Sequence, residues 1–320
     1  MDKGSLGLIF REVLALYYNG LDSLEPQEMH FSDFSDWLFH TSDHRAKLQK
    51  KQREFWTETL KDVSPMYLMS STPSEKPLSD LTEVEVTIDA STLALCHSLM
   101  KEAKAIPSQG FFAVYNTLLC NYSSQQTMVV GTAVTQRNTT QLANVVGPLT
   151  TFLPIKTTVD LKKTFQEYLT GFKEELSKSV ENSDVVYDEI NPDIPDPPRR
   201  SSYFRHSFTY NEMNLDAISE LGIEGVQVEN FRSLSKIKDE RQELLLDIYG
   251  KTGRVILRFN NHIFSEEDAR KFLDTYLALF KAVCRSPDTK MCDLSVFSLA
   301  EPTVVTALKG DGLHVVTDTT

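Results

Sequence analysis

The stretch Thr127–Thr135 reads TMVVGTAVT, and β-branched or small residues fill eight of its nine positions. A continuous run of this kind is typical of a central strand that is covered on both faces of a sheet. Residues 152–159, FLPIKTTV, predict a second strand close behind it. The two segments place a β-sheet at the centre of the fold.

Helices and further strands are predicted on both sides of this pair. Apolar residues recur every three or four positions in several segments, which indicates helices. These are residues 5–18, 31–60, 91–104 with Ser91 as N-cap, 109–122, 161–180 and 266–284 with Ser265 as N-cap. Further strands are predicted over residues 83–89, 204–210, 226–231, 244–249 and 254–259. The sequence therefore predicts an α/β fold, of the α+β type, with a mixed sheet and flanking helices.

The acidic composition of the chain disfavours some classes of binding partner. The chain has 33 Lys and Arg against 45 Asp and Glu, a net charge of -12, which argues against nucleic-acid and membrane partners. No apolar run approaches the roughly 18 residues of a spanning helix. The four cysteines are scattered without zinc spacing, so we expect no metal, buried thiols and a reducing, cytoplasmic location. They are Cys96, Cys120, Cys284 and Cys292.

A search for common catalytic motifs finds none. The sequence has no G-x-S-x-G, no G-x-x-x-x-G-K, no G-x-G-x-x-G and no H-E-x-x-H. None of its seven histidines lies at a recognisable catalytic spacing. The search for single motifs therefore does not indicate which reaction, if any, the protein catalyses.

Several segments, in order, resemble motifs of nonribosomal peptide synthetase condensation domains. Residues 2–17, DKGSLGLIFREVLALY, are similar to the segment that starts at the Asp of the family's H-H-x-x-x-D-G. Residues 31–37, FSDFSDW, resemble Y-x-D-Y-A-x-W, and residues 55–60 resemble F/Y-W-x-x-x-L. Residues 130–138, VGTAVTQRN, resemble V-G-x-x-x-x-x-R, and residues 146–156, VGPLTTFLPIK, resemble I-G-x-F-x-N-x-x-P-x-R. Residues 181–189, ENSDVVYDE, fall where the family has H-Q-D-x-P-F-E, and residues 202–211 and 244–264 resemble its later strands.

The resemblance implies a chloramphenicol-acetyltransferase-like fold of two lobes with a channel between them. Residues 1–82 would be a remnant of the donor-side first lobe with its crossover loop, residues 83–299 the complete second lobe, and residues 300–320 a flexible tail. The register puts both motif histidines upstream of Met1, so we expect a truncated chain that lacks the catalytic base. No catalytic residue is assigned within it.

The resemblance also implies structural site residues. In the family the motif Asp pairs with the Arg of V-G-x-x-x-x-x-R, so Asp2 and Arg137 are expected to form an ion pair that holds the loop. Gly4 keeps the following turn small, although Lys3 replaces the family's glycine. Trp37 and Trp56 are expected to be packing anchors.

Five positions are channel candidates by the same resemblance. Thr151 replaces the family's Asn, Lys156 its Arg and Asn182 its His, while Gly147 and Asp184 are retained. Ordinary loop polarity is an equally good explanation for the polar positions among them.

Three functions stay open at this point. The resemblance implies amide or ester formation between acyl groups on the phosphopantetheine arms of carrier domains, in nonribosomal peptide or hybrid polyketide biosynthesis, with no bound cofactor. The partners would be carrier domains or other synthetase modules. The alternative is a catalytically inactive remnant or docking module of a secondary-metabolite pathway. A stand-alone acyl-CoA acyltransferase is a minor alternative, because the D-F-G-W-G string of that type is absent.

Overall fold

The computed structural model describes residues 1–24, 26–39, 43–64, 66, 68, 81–137, 139–185, 205–212 and 242–294 of the 320-residue chain. The helices are α1 (Lys3–Asn19), α2 (Phe31–Phe39), α3 (Asp43–Leu60), α4 (Ala90–Glu102), α5 (Pro107–Ser123), α6 (Thr140–Ala143), α7 (Phe165–Glu181) and α8 (Glu266–Arg285). Short 3-10 turns span Leu21–Ser23 and Met291–Asp293. The strands are β1 (Leu81–Thr87), β2 (Thr127–Thr135), β3 (Thr150–Thr158), β4 (His206–Asn211), β5 (Leu244–Tyr249) and β6 (Arg254–Asn260).

The described strands form one mixed six-stranded sheet in the order β1-β6-β5-β4-β2-β3. Strand β2 pairs antiparallel with β3 along its whole length and parallel with β4 on its other side, which confirms its prediction as a central strand. Strands β4 and β5 are also parallel, whereas β5, β6 and β1 are antiparallel neighbours. The α/β fold with a mixed sheet and flanking helices is therefore confirmed.

The main core lies between one face of the sheet and helices α4, α5, α7 and α8. Helix α5 runs through the centre of this layer, which explains why it is apolar on all sides. The Phe112 ring stacks on Phe208 of β4 at 4.6 Å between centroids, and Phe111 stacks on Phe280 of α8 at 4.5 Å. Trp56 and Leu60 of α3 join the same core. Residues 1–82 therefore contribute side chains to this core. The lobe boundary at residue 82 stays a prediction.

The opposite face of the sheet is polar near its centre. Leu246 and Ile248 of β5 belong to the core, so the alternation of a strand turns Asp247 and Tyr249 toward the other face. Asp247 is buried there. This polar face is the one on which the start of α1 lies, because Lys3 reaches the ends of β4 and β5.

Two local predictions need correction, and one short helix was not predicted. Helix α4 is capped by Asp89, whose carboxylate accepts from Thr92 N at 2.8 Å, and Ser91 lies inside the helix instead. Residues 31–60 contain two helices, α2 and α3, instead of one, and residues 40–42 between them lie outside the described residues. The short helix α6 is not predicted by periodicity, since four residues cannot show a period. The capping role of Ser265 is confirmed by its reciprocal bonds with Asp268.

The cysteines differ in burial. Cys96, Cys120 and Cys284 are buried, as the sequence predicts. Cys292 is exposed, because it lies in the 3-10 turn after α8. The predicted strand over residues 226–231 and the predicted tail over residues 300–320 lie outside the described residues, and so does most of the crossover loop that was expected before residue 82.

Candidate functional site

Asp2 is the N-cap of α1 and lies against the start of β3. Its Oδ1 accepts from Ser5 N at 2.8 Å, which satisfies a free backbone donor of the first turn. Its Oδ2 accepts from Leu149 N and from Thr150 Oγ1, both at 3.0 Å. Arg137 donates Nη2 to Oδ1 at 2.9 Å and Nη1 to Oδ2 at 3.3 Å. One carboxylate therefore joins α1, the end of β2 and the beginning of β3.

Ser5 completes the connection. Its Oγ lies 2.8 Å from Asp2 Oδ1 and from Gly147 O, and it accepts from Gly147 N at 2.9 Å. Arg137 Nη2 donates both to this hydroxyl and to Val145 O. We call Asp2, Ser5, Arg137 and Thr150, with the backbone of residues 145–149, the Asp2 network.

The electrostatics of the network keep Asp2 ionised. Burial by itself would raise the pKa of Asp2, but the bonds from Ser5, the Arg137 charge and the Thr150 bond outweigh it and lower that pKa below its usual 3.8. A carboxylate with a lowered pKa is ionised at neutral pH, and donors occupy both oxygens of Asp2. That Asp2 holds this turn rather than doing chemistry stays a prediction.

Two glycines allow the close approaches that the network needs. A Cβ on Gly4 would lie 3.0 Å from Arg137 Nε, so the guanidinium passes directly beside this turn. A Cβ on Gly147 would lie 2.3 Å from Cδ2 of Phe31, which seats the ring of α2 on the backbone of the network. Gly147, a channel candidate, thus lies against the Phe31 ring at the start of α2.

Thr151 and Lys156 are the two channel candidates on β3, and neither is part of the Asp2 network. Thr150 points to Asp2, so the next residue, Thr151, points to the opposite side of the strand. Lys156 is half-buried further along β3, opposite Val129 of β2. Within the described residues, the structure brings neither Thr151 nor Lys156 into the Asp2 network.

Asn182 and Asp184 lie after α7 and are held by α3. The amide of Asn182 donates to Lys178 O at 2.8 Å, within its own helix end. Its backbone carbonyl accepts from Trp56 Nε1 at 2.8 Å, and Gln52 Nε2 donates to Asp184 Oδ2 at 2.9 Å. These bonds attach the segment to α3.

The two tryptophans differ. Trp56 is fully buried, as expected of an anchor. Trp37 is 51% exposed and packs its ring on Phe34 at 5.8 Å between centroids, so the expectation that it is a core anchor is wrong. The short helix α2 has a narrow apolar face, and only Phe34 is buried on it.

Sequence reasoning missed Ser5 and Thr150. Ser5 follows Asp2 by three residues, the spacing at which a first-turn side chain meets an N-cap, so a capping pattern was available. Thr150 carries no such signal, because only the pairing of β2 with β3 decides which threonine of the TT pair faces Asp2.

Polar groups beside the network fill the end of the sheet. Arg258 pairs with Asp247 and, at 3.4 Å, with Glu83, while Thr209 donates to Asp247. Lys3 Nζ donates to Asn211 Oδ1 at 3.1 Å. In the part of the chain that the structure describes, no group of three or more His, Cys, Asp or Glu side chains is arranged to hold a metal ion. Nor does any helix there have the length and apolar character to cross a membrane.

Solved structures share this fold. The condensation domain of the monacolin K polyketide synthase MokA superposes with a TM-score of 0.72 at 17% identity, covering 91% of this chain and 68% of that one. The X-domain from teicoplanin biosynthesis gives a TM-score of 0.73 at 18% identity, covering 92% and 69%. The fold is the chloramphenicol-acetyltransferase-like fold of condensation domains.

The family follows from the sequence match. The Condensation domain family matches residues 1–304, and the chain belongs to this family. Surfactin synthase subunit 1 of Bacillus subtilis is 25% identical over 325 residues that cover 100% of this chain, and bacitracin synthase 3 of Bacillus licheniformis is 25% identical over 308 residues that cover 93%. The chain spans only 9% and 5% of these two relatives.

Proposed function

We propose that the condensation domain to which this chain belongs forms an amide or ester bond between two acyl groups that carrier domains present on phosphopantetheine arms, with the motif histidines expected upstream of Met1 supplying the base. An amine or hydroxyl of the acceptor attacks the donor thioester carbonyl, the C–S bond breaks, and the proton of the nucleophile ends on the released thiol. The observation that carries this proposal is the Asp2 network, which forms at the place where the condensation motif and V-G-x-x-x-x-x-R meet. The reaction needs no bound cofactor.

The network supports this function by positioning. It fixes the first turn of α1 on the β2–β3 edge through bonds from side chains and backbone alike. The residues of the condensation motif that precede Asp2 would thereby be held at a constant distance from the polar face of the sheet. Constant placement of a reacting group is a major source of rate enhancement.

The second candidate is a docking module without catalysis. Two observations favour it. The amide of Asn182 is bonded to Lys178 O within α7, and the described histidines are not part of the Asp2 network. In the part of the chain whose side chains the structure describes, no histidine side chain forms a hydrogen bond with Asp2, Arg137 or Thr150; the histidines there are His30, His97, His206 and His262. The same fold occurs in the X-domain that was solved in complex with OxyB.

A paired assay separates the two candidates. Carrier proteins loaded with a panel of donor and acceptor groups are mixed with the chain extended at its N-terminus by a segment that carries the two motif histidines, and the product is followed by mass spectrometry while carrier binding is measured in parallel. Product that disappears in Arg137→Met but persists in Glu85→Gln supports condensation. Binding without product from any pair supports docking, and neither binding nor product refutes both.

We propose the cytoplasm as the location. Free buried thiols such as Cys96, Cys120 and Cys284 persist in that reducing compartment. Localisation of a tagged chain together with its carrier partner tests this.

A further inference from the structure

Lys3 is a cation at the start of α1 that extends over the ends of β4 and β5. Its Nζ donates to Asn211 Oδ1 at 3.1 Å and lies 5.3 Å from the ring centroid of Tyr249. An ammonium has three donors, and Asn211 occupies one of them. Within the described residues, no carboxylate forms an ion pair with Lys3.

The carboxylates around Lys3 are already engaged. Asp2 is bound by Arg137, as described above. Asp247 and Glu83 are paired with Arg258, and Glu85 is paired with Arg254 at 2.6 Å. Among the residues of this region that the structure describes, the ammonium of Lys3 is therefore a positive charge without a carboxylate partner.

The electrostatic surroundings of Lys3 favour an anion. The side chain is exposed to solvent and can be reached by a ligand. Desolvation by neighbouring protein atoms lowers its pKa to about 8, and the charge of nearby Arg258 contributes to the same shift. An anion bound there would relieve the repulsion from Arg258 and favour the charged lysine.

We propose that Lys3 and Asn211, with the Tyr249 ring beside them, form a subsite for an anionic oxygen group, a carboxylate or a phosphate, on one of the substrates. The two remaining donors of the ammonium bind the oxygens, and the ring contacts the carbon chain that bears them. Lys3 follows Asp2 in the chain, so the subsite adjoins the first turn of α1, which the Asp2 network holds. This assignment of the ligand to a substrate rests on the proposed function.

Direct binding tests the subsite without any activity assay. Glutarate serves as the carboxylate probe, inorganic phosphate as the phosphate probe and glutaramide as the neutral control, each titrated into the 320-residue chain. NMR of lysine labelled at Cε follows Lys3, which is assigned by the signal that Lys3→Met removes. We expect an anionic probe, and not glutaramide, to raise the pKa of Lys3 by at least one unit.

Variants then show where the anion binds. Lys3→Met should weaken binding of the anion at least tenfold, Lys3→Arg should retain most of it, and the exposed control Lys162→Met should leave it unchanged. Binding of glutarate alone identifies an acidic substrate group, and binding of phosphate alone identifies the phosphate of a carrier arm. An unchanged Lys3 signal with both anions, or an equal loss in Lys162→Met, overturns the subsite.

The subsite and the proposed function fail separately. If the wild-type chain condenses substrates but shows no anion effect at Lys3, the subsite is wrong and the function stands. If anions bind at Lys3 and no pair of carrier-bound groups is condensed, the function is wrong and the subsite stands.

Discussion

Replacing Asp2 by alanine should destabilise the chain markedly. The change leaves Arg137, whose side chain is 12% exposed, without its carboxylate, and it removes the acceptor for the backbone donors of Ser5 and Leu149. Breaking a buried pair costs about 3–5 kcal/mol, whereas breaking a surface pair costs about 0–1 kcal/mol. The Asp2 side chain is 9% exposed, so we expect the lower end of the buried range. For a chain of this size, about 3 kcal/mol corresponds to a fall of roughly 6 °C in the midpoint of thermal unfolding.

Urea and thermal unfolding of Asp2→Ala beside a matched pair variant measure this cost. Glu85→Gln breaks the pair with Arg254, in which the side chains are 45% and 26% exposed, so it should lose about 1 kcal/mol or less. If Asp2→Ala loses no more stability than Glu85→Gln, the network does not hold α1 and the reasoning is refuted.

The pH dependence of the same effect has a definite sign. The pKa of Asp2 is lowered in the folded chain, so ionisation of this carboxylate adds stability that is fully present above its ordinary pKa of 3.8. That contribution is lost as the pH falls from 3.8 through the folded pKa. The stability difference between wild type and Asp2→Asn should therefore be constant from pH 7 to pH 5 and shrink below pH 3.8.

Three further predictions concern packing. Trp56→Phe should cost about 1 kcal/mol in urea unfolding, because the partly buried carbonyl of Asn182 loses its donor; an unchanged midpoint would contradict this. Gly253→Ala should lower the thermal midpoint, since the backbone has φ +70° and a Cβ would lie 2.6 Å from Ile88 O, whereas Gly171→Ala, with open space, should not. Titration with a thiol reagent should modify Cys292 alone in the native chain and all four cysteines in urea; rapid reaction of a second native thiol would refute the assigned burial.

The regular elements were predictable because their burial pattern is local. The β-branched run of β2 and the capping pattern of Ser265 each specify an element from a few neighbouring residues. Asp89 was missed as a cap since Ser91 two residues later offers the same chemistry, and only the bond to Thr92 N separates them.

The candidate site was predictable only in part. The pairing of Asp2 with Arg137 was expected from a resemblance, and the structure places these side chains in contact. The neighbours of the pair were not foreseen, because Ser5 and Thr150 become its partners through strand register and helix entry. Trp37 was misjudged for a related reason: an aromatic residue is buried only if another element covers it.

The sequence by itself determined the fold class, most of the helices and strands, and membership of the condensation domain family, since local periodicity and ordered motifs suffice for these. The tertiary structure alone decided which residues surround Asp2 and that Lys3 meets Asn211 across 208 positions of the chain. It also decided that Asn182 is bonded to its own helix. The physical reason is that a hydrogen bond depends on side-chain direction within about an ångström, and that direction follows from the packing of distant elements.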